Sequence, residues 1–158
     1  MPAPDSAFLS ASTKTTLPWL KVDFHLHAAE DPKDELEYSA NDLLLRAHQL
    51  GFGALAITLH GQVLARPEIS ERARQLGILL IPAAEVRLEG ADVVVLNVTE
   101  EEVDGLNRFD DLAALRAQRG RSLFTFAPHP FYRLGGSMGS ERLLEHLDLF
   151  DAIEISHF

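Results

Sequence analysis

Two histidines end a short stretch near the start of the chain, which runs from Lys21 to His27 with the sequence KVDFHLH. Its alternating polar and apolar residues predict a β-strand, in which every second side chain shares a face. Asp23, His25 and His27 are therefore expected to point the same way. Two imidazoles on one rigid strand can bind a metal ion, and a carboxylate two residues upstream can orient one of the rings. The alternative is a half-exposed strand that carries two ordinary histidines.

Three more candidate ligands each stand at the end of another apolar segment. His60 follows Ile-Thr-Leu, Glu85 follows Ile-Pro-Ala-Ala, and His129 lies between two prolines that restrict its backbone. Burying a carboxylate without a partner is costly, so Glu85 needs a partner, and a position between two bound cations is one solution. The alternatives are a solvent-facing His60, an ion pair between Glu85 and Arg87, and a rigid turn in which His129 is incidental.

The loop that follows the histidine pair is acidic and offers Glu30 and Asp31 as oxygen ligands, or simply as solvated charges. Imidazole and carboxylate ligands without thiolate suit zinc, manganese or iron, and the sequence does not choose among these metals. The chain has no cysteine, which excludes disulfides, thiolate metal sites and a cysteine nucleophile. It also has no GxxxxGK loop, so nucleotide binding of the P-loop kind is not expected.

Strands and helices alternate along the chain. The predicted strands are Lys21–His27, Ala54–His60, Ile78–Val86, Ala91–Val98, Ser122–Pro128 and one that begins at Ala152–Ser156. The first predicted helix starts at Ser39, with Asp42 as its capping partner. Three more predicted helices cover Pro67–Leu76, Phe109–Gln118 and Ser140–Leu149. Alternation predicts an α/β fold with a parallel sheet and helices outside, as a closed barrel or an open doubly wound sheet. Polar residues at four strand ends favour the barrel, whose strand ends converge on one mouth.

Length and charge limit the classes of function. A chain of 158 residues is expected to form one domain, here residues 19–158, after a flexible lead-in at residues 1–18. With 24 acidic and 14 basic residues the net charge is −10, which argues against a nucleic-acid surface. No apolar run approaches the ~18 residues that span a membrane. A cytoplasmic location is the corresponding prediction.

Taken together, the motifs resemble the PHP family, named for polymerase and histidinol phosphatase. The resemblance rests on Asp-x-His-x-His, Ile-Thr-x-His, Pro-x-x-Glu and Pro-His-Pro in this order, and it extends from Lys21 to Phe158. It implies a distorted barrel of seven strands with up to three metal ions at its mouth. It also implies metal-dependent hydrolysis of a small phosphorylated substrate, in which metal-activated water attacks phosphorus and no protein nucleophile takes part.

The resemblance also implies six metal ligands, which are His25, His27, Asp31, His60, Glu85 and His129. His25, His27 and Glu85 would hold a first ion. Glu85 would bridge to a second ion that His129 helps to hold. His60, with Asp31 or Glu30, would hold a third. For the substrate phosphate, Arg66 and Arg133 are weak candidates, because an arginine in such a loop is more often solvated.

Three departures from the family pattern matter. Leu59 stands where the family usually has aspartate, and Asn97 is the nearest counterpart of a further histidine ligand. The chain ends at Phe158, before the family's closing Asp-x-His pair, and His157 is not expected to be a ligand. The sequence therefore predicts an incomplete barrel without its last strands. Open sheet edges would favour a homo-oligomer or a completing chain.

Three hypotheses of function follow. The first is a PHP-type metal-dependent phosphoesterase. The second is a non-catalytic or degenerate PHP module that binds metal and serves as a scaffold or partner surface. The third is an amidohydrolase-like barrel, since that class also carries His-x-His on its first strand.

Overall fold

A computed structural model describes residues 19–132 and 135–155 of the chain. The predicted lead-in, residues 1–18, lies outside the described residues. The strands are β1 (Lys21–Leu26), β2 (Phe52–Ile57), β3 (Leu79–Ile81), β4 (Ala83–Leu88), β5 (Ala91–Leu96), β6 (Phe124–Ala127) and β7 (Ala152–Ile153). The helices are α1 (Ala40–Gln49), α2 (Pro67–Gln75), α3 (Glu100–Asp104), α4 (Phe109–Arg119) and α5 (Gly139–Glu145). The α/β class predicted from the sequence is confirmed.

Helix α1 begins where the sequence predicted. Ser39 is its N-cap, and the Asp42 backbone N–H donates to Ser39 Oγ over 3.2 Å. In return the Ser39 backbone N–H donates to Asp42 Oδ2 over 3.0 Å, which completes a capping box. Two amides that the first helical turn leaves without a carbonyl partner are thereby satisfied.

Removing this cap is expected to destabilise the protein modestly. Ser39→Ala leaves the N-terminal amides of α1 without their side-chain acceptor, and such a loss costs about 1 kcal/mol. Urea unfolding followed by circular dichroism measures the change. Ser70→Ala is the matched control, because Ser70 Oγ makes only a 3.4 Å contact to the carbonyl of Arg66 on exposed α2. Equal stabilities for Ser39→Ala and the unmodified chain would contradict the prediction.

The strands form two sheets, in the orders β1-β2-β3 and β4-β5-β6-β7. The first sheet is parallel, whereas β5 runs antiparallel to both β4 and β6. The prediction of an all-parallel sheet is therefore wrong for β5. Only Glu89 and Gly90 connect β4 to β5, with φ of 50° and 88°, and a two-residue turn with positive φ makes an antiparallel hairpin. The predicted burial of this strand is confirmed, since all six of its residues are buried.

The third predicted strand is split at Pro82 into β3 and β4. β3 pairs with β2, and β4 pairs with β5. A single parallel bridge between His60 and Glu85 then joins the two sheets. Its hydrogen bonds run from the Glu85 N–H to the Leu59 carbonyl, over 3.1 Å, and from the Gly61 N–H to the Glu85 carbonyl, over 2.8 Å. We call this junction the seam.

Apolar side chains fill both faces of the sheets. One buried cluster lies between strands of the two sheets and comprises Ala56, Ala83, Val94, Leu96 and Phe126. Two larger clusters lie between the sheets and the helices. Glu85 follows Ala83 by two residues in β4, so its side chain shares the face of the inter-strand cluster. The strands of the described residues form two sheets, and the predicted closed barrel is not confirmed.

Within residues 19–132 and 135–155, no helix has both the length and the apolar character required to cross a bilayer.

Candidate metal centre

The imidazoles of His25 and His27 meet at the carboxyl end of β1. Their Nε2 atoms are 3.3 Å apart, and their rings contact edge to face with centroids 5.3 Å apart. Both rings are largely buried, with 13% and 17% of their side-chain surfaces exposed. The strand therefore presents two nitrogen atoms to one small volume, as its sequence predicted.

Four imidazoles surround the carboxylate of Glu85, which is 2% exposed. Glu85 Oε2 lies 3.3 Å from His25 Nε2, 3.1 Å from His27 Nε2 and 3.4 Å from His60 Nε2. Glu85 Oε1 lies 3.4 Å from His129 Nε2. Residues from the ends of β1, β2 and β6 thus converge on one carboxylate in β4. The structure brings together five of the six ligands implied by the sequence.

Asp31, the sixth, lies beside the other ring nitrogens of two of these histidines. Its Oδ2 is 2.8 Å from His27 Nδ1, and its Oδ1 is 3.0 Å from His60 Nδ1. The backbone N–H groups of Lys33 and His60 also donate to it, over 2.8 Å and 2.9 Å. Asp31 is 7% exposed. Asp34, which the sequence analysis did not single out, lies 3.5 Å from His27 Nδ1 through its Oδ2.

Within residues 19–132 and 135–155, two groups of side chains have ligand atoms close enough to hold a metal ion. One group is His25, Glu85 and His129, and the other is His27, Asp31, Asp34 and His60. This division differs from the one implied by the family resemblance, which placed His27 with His25. His27 lies between the groups, because its Nε2 faces Glu85 and its Nδ1 faces Asp31.

Glu154, just after β7, is a member of the cluster that the sequence analysis missed. Its Oε2 lies 3.2 Å from His25 Nδ1, and the backbone N–H of His129 donates to the same oxygen over 2.7 Å. Like His60 and Glu85, it is a polar residue next to an apolar strand, here Ala152–Ile153. That same sequence feature was available for finding it.

Two neighbouring polar residues lie away from the cluster. Asp23 was expected to share a face with the two histidines, but the pairing of β1 with β2 is irregular between Asp23 and Leu26. This irregularity shifts the alternation, so Asp23 and Leu26 both line the groove between β1 and α1. Asp23 Oδ1 accepts from the backbone N–H of His25, over 3.3 Å, rather than from an imidazole. Glu30 accepts the backbone N–H of Ala40 at the start of α1.

Asn97, the counterpart proposed for a further ligand, lies at the opposite end of the sheet. It follows the antiparallel strand β5, whose last residue, Leu96, pairs with Ala83 rather than with Glu85. Its Nδ2 donates to the Ser122 carbonyl over 2.8 Å. The reversal of β5 therefore explains why the polar residue at this strand end is not near the imidazoles.

Arg87 pairs with Asp92 across the β4–β5 hairpin, not with Glu85. Arg87 Nε donates to Asp92 Oδ1 over 2.7 Å and Nη2 donates to Asp92 Oδ2 over 2.8 Å. The same Nη2 donates to the Gly135 carbonyl, and the Asp92 backbone N–H donates to the Gly136 carbonyl over 2.8 Å. This ion pair therefore anchors the glycine-rich loop that follows His129.

The predicted phosphate contacts have different outcomes. The Arg66 side chain is 54% exposed, and its Nη1 is 3.8 Å from Glu30 Oε1. Arg133 and His157 lie outside the described residues. Arg66 is thus a surface cation beside the acidic loop, in a long and exposed ion pair that contributes little to stability.

Opposite charges in the cluster shift its titration. Burial by itself would lower the pKa of His25, but hydrogen bonds and charges of Glu154 and Glu85 outweigh it and raise the pKa to about 9. Burial would also lower the pKa of His27, but hydrogen bonds to Glu85 and Asp31 outweigh it, so the pKa of His27 is raised. Burial would raise the pKa of Glu85, but the surrounding imidazoles hold it far below its usual range. Glu85 is therefore ionised, and a metal ion would compete with protons on His25 and His27.

Comparison with solved structures gives two similar folds. One is a protein of Bifidobacterium adolescentis described as a candidate metal-dependent phosphoesterase, with a TM-score of 0.56 and 13% identity over 87% of this chain and 77% of that one. The other is an amidohydrolase of Chromobacterium violaceum solved with bound sulfate and no metal. Its TM-score is 0.58, with 13% identity over 84% of this chain and 76% of that one.

Comparison of sequences gives a more limited match. A stretch of 89 residues is 30% identical to part of the PolC-type DNA polymerase III of Thermotoga maritima. The stretch is 56% of this chain but spans only 6% of the polymerase. No protein-family model matches the chain. The resemblance predicted from the sequence is confirmed at the level of the fold, which this chain shares with proteins described as hydrolases.

Proposed function

We propose that this chain carries the metal centre of a PHP-type phosphoesterase and hydrolyses small phosphate esters. The observation that carries the proposal is the position of Glu85. A carboxylate that is 2% exposed has four imidazole Nε2 atoms within 3.1–3.4 Å. Imidazole groups packed this closely around a buried anion are typical of residues that bind a divalent cation. Nitrogen and oxygen ligands without thiolate suit zinc, manganese or iron.

The two groups of side chains suit two metal ions. His25, Glu85 and His129 would hold one ion. His27, His60 and Asp31 would hold the other, with Asp34 as an additional carboxylate at the exposed side. Glu85 would face both ions, because its two oxygens contact imidazoles of both groups. A third ion, which the family resemblance allows, has no separate group of ligands within residues 19–132 and 135–155.

The residues of the chain have distinct roles in the proposed reaction. Divalent ions, when bound, activate water for attack on phosphorus and offset the charge on the phosphoryl oxygens. Glu85 provides the negative charge that keeps cations at the inner end of the site. Arg66 and Arg133 are proposed to attract the substrate phosphate, as cations on loops that follow His60 and His129. The substrate is proposed to be small, because the candidate ligands are largely buried and a bulky group would not reach them.

A second candidate is hydrolysis of an amide, which the likeness to the amidohydrolase fold favours. Both activities use an ion to activate water, and they differ in the group that is attacked. A folded, metal-loaded protein that hydrolyses neither kind of substrate would correspond to the scaffold hypothesis. We also propose a cytoplasmic location, and association with a second copy or a completing chain through the free edges of the sheets.

Metal-dependent hydrolysis tests the function directly. The protein is freed of metal with a chelator, reloaded with Mn²⁺ or Zn²⁺, and assayed with p-nitrophenyl phosphate and with p-nitroacetanilide as the amide. We expect phosphate release that disappears on chelation and returns with the ion, and metal analysis that gives about two ions per chain. Release from the amide alone would favour the second candidate, and no release from either would reject both.

A matched pair of histidine variants accompanies this assay. His25→Ala should lower metal content and turnover, because it removes an Nε2 atom that faces Glu85. His48→Ala is the control, since the Nδ1 of His48 pairs with the Leu76 carbonyl on the outer side of α1. Equal losses in the two variants would contradict the assignment of His25.

A further inference from the structure

Glu154 has a fixed place at the edge of the cluster. It follows β7, which runs parallel to β6, and its backbone N–H donates to the Ala127 carbonyl over 3.0 Å. This pairing puts residue 154 beside the segment that leads into His129. The Glu154 side chain is 33% exposed, so the carboxylate lies at the border between the cluster and solvent.

The carboxylate of Glu154 contacts two different histidines in two different ways. Its Oε1 and Oε2 lie 3.3 Å and 3.2 Å from the Nδ1 of His25. Its Oε2 also accepts the backbone N–H of His129 over 2.7 Å. The Glu154 side chain therefore contacts both the imidazole of His25 in β1 and the backbone of His129 after β6.

The ring of His25 lies between two carboxylates. Its Nδ1 faces Glu154, and its Nε2 lies 3.3 Å from Glu85 Oε2 and 3.3 Å from His27 Nε2. When Nδ1–H donates to Glu154, the lone pair of the neutral ring is on Nε2 and points to the interior of the cluster. A metal ion at Nε2 then has Glu85 as its neighbour, whereas Glu154 is on the far side of the ring.

The backbone contact has a separate effect. His129 has a φ of 29°, within the left-handed region that residues with a side chain seldom adopt. The hydrogen bond from its N–H to Glu154 helps to hold this conformation, and the conformation directs the imidazole to Glu85 Oε1. Glu154 therefore acts on the positions of both His25 and His129, which share one group of candidate ligands with Glu85.

We infer that Glu154 is a positioning residue of the metal centre: it fixes the tautomer and direction of the His25 ring and the backbone of His129 without itself binding the ion. The inference rests on the metal centre of the proposed function, but not on the identity of the substrate. Carboxylates in this relation to a metal-binding histidine typically change metal affinity by 10–100-fold.

Metal titrations of the whole chain test the inference. Unmodified protein, Glu154→Ala and Glu154→Gln are freed of metal and titrated with Zn²⁺ and with Co²⁺, whose absorption reports ligand geometry. We expect Glu154→Ala to bind about 10–100-fold more weakly with the same number of ions per chain, and with an altered Co²⁺ spectrum. Glu154→Gln keeps an oxygen that accepts hydrogen bonds, so it should recover much of the affinity.

Asp151→Asn is the control for a general effect on β7. Asp151 lies three residues before Glu154. It accepts hydrogen bonds from the Arg116 side chain and from the backbone N–H of Thr125. It should bind both ions as the unmodified chain does. Circular dichroism of the metal-free proteins verifies that all variants are folded. A further variant, Glu154→Asp, replaces either of the two Glu154 variants that does not fold.

Four outcomes would overturn the inference. They are unchanged affinity and spectrum in Glu154→Ala, loss of an ion from its stoichiometry, an equal loss of affinity in Asp151→Asn, and no binding of either ion by the unmodified chain. The titrations contain no substrate. An unmodified protein that binds metal but hydrolyses no phosphate ester would therefore reject the proposed reaction and leave this test intact.

Discussion

Replacing Glu85 with alanine is expected to remove at least one metal ion per chain and to lower phosphate-ester hydrolysis by about 100-fold or more. Loss of a carboxylate that only hydrogen-bonds to a metal-binding histidine already lowers metal affinity or activity by up to about 100-fold. Glu85 faces both groups of candidate ligands, so its loss is expected to have a larger effect. The change also leaves four imidazoles without their shared anion. Metal analysis of the purified variant and the initial rate with p-nitrophenyl phosphate measure the two effects.

Glu85→Gln separates charge from shape, because glutamine fills the same space without the negative charge. We expect it to lose metal nearly as completely as the alanine variant. The matched control is Glu102→Gln, which neutralises a partly buried glutamate that pairs with Arg119 and caps α3. Full metal content in Glu85→Gln, or an equal loss in Glu102→Gln, would remove Glu85 from the proposed centre.

Gly136→Ala is expected to destabilise the fold by roughly 2–5 kcal/mol, the sum of a strained backbone and an overpacked contact. The φ of Gly136 is +109°, and a Cβ placed there would lie 1.7 Å from Asp92 Oδ2 and 2.3 Å from Arg87 Nη2. Asp92 cannot move freely, because it is 4% exposed and forms a bidentate ion pair with Arg87. Urea unfolding measures the change in the free energy of unfolding.

The neighbouring glycine gives the control for this prediction. A Cβ at Gly135 would meet no atom within 4 Å, so Gly135→Ala should change stability by less than about 1 kcal/mol. A Gly136→Ala variant as stable as Gly135→Ala would show that the loop does not depend on the Arg87–Asp92 pair. Hydrolysis should fall with Gly136→Ala as well, since this loop follows His129.

Features that depend on local sequence were predictable. The capping box at Ser39, the start of α2 at Pro67 and the buried run of β5 are each written in a few neighbouring residues. The cluster itself was predictable because polar residues at the ends of successive apolar strands are expected to lie close together where those ends converge. His60 and Glu85 were found in this way, without any knowledge of which strands are neighbours.

Features that depend on pairing between distant segments could not be predicted from the sequence. The direction of β5 was decided by a Glu-Gly turn, which lacks the Asn-Gly or Asp-Gly pair that usually marks such hairpins. The position of Asp23 was decided by an irregularity in the pairing of β1 with β2. Glu154 was missed because the predicted strand, Ala152–Ser156, placed it inside the strand, whereas β7 ends at Ile153 and leaves Glu154 at the strand end.

Helix α3 was missed for a different reason. It has five residues, too few for a recognisable apolar stripe. Its capping box, in which Thr99 and Glu102 exchange hydrogen bonds, was nevertheless present in the sequence. Capping residues were therefore better indicators of short helices in this chain than hydrophobic periodicity.

The contact between His25 and Glu154 joins residues 129 positions apart. During synthesis on the ribosome, the first imidazoles emerge long before the carboxylate that holds one of them in place. Contacts of such long range form late, because the intervening chain must be ordered first. An ion captured early would meet only the histidines of β1, and Glu154 could position the His25 ring only after β7 had joined the sheet. Positioning of His25 by Glu154 is therefore expected to follow the pairing of β6 with β7 rather than to precede it.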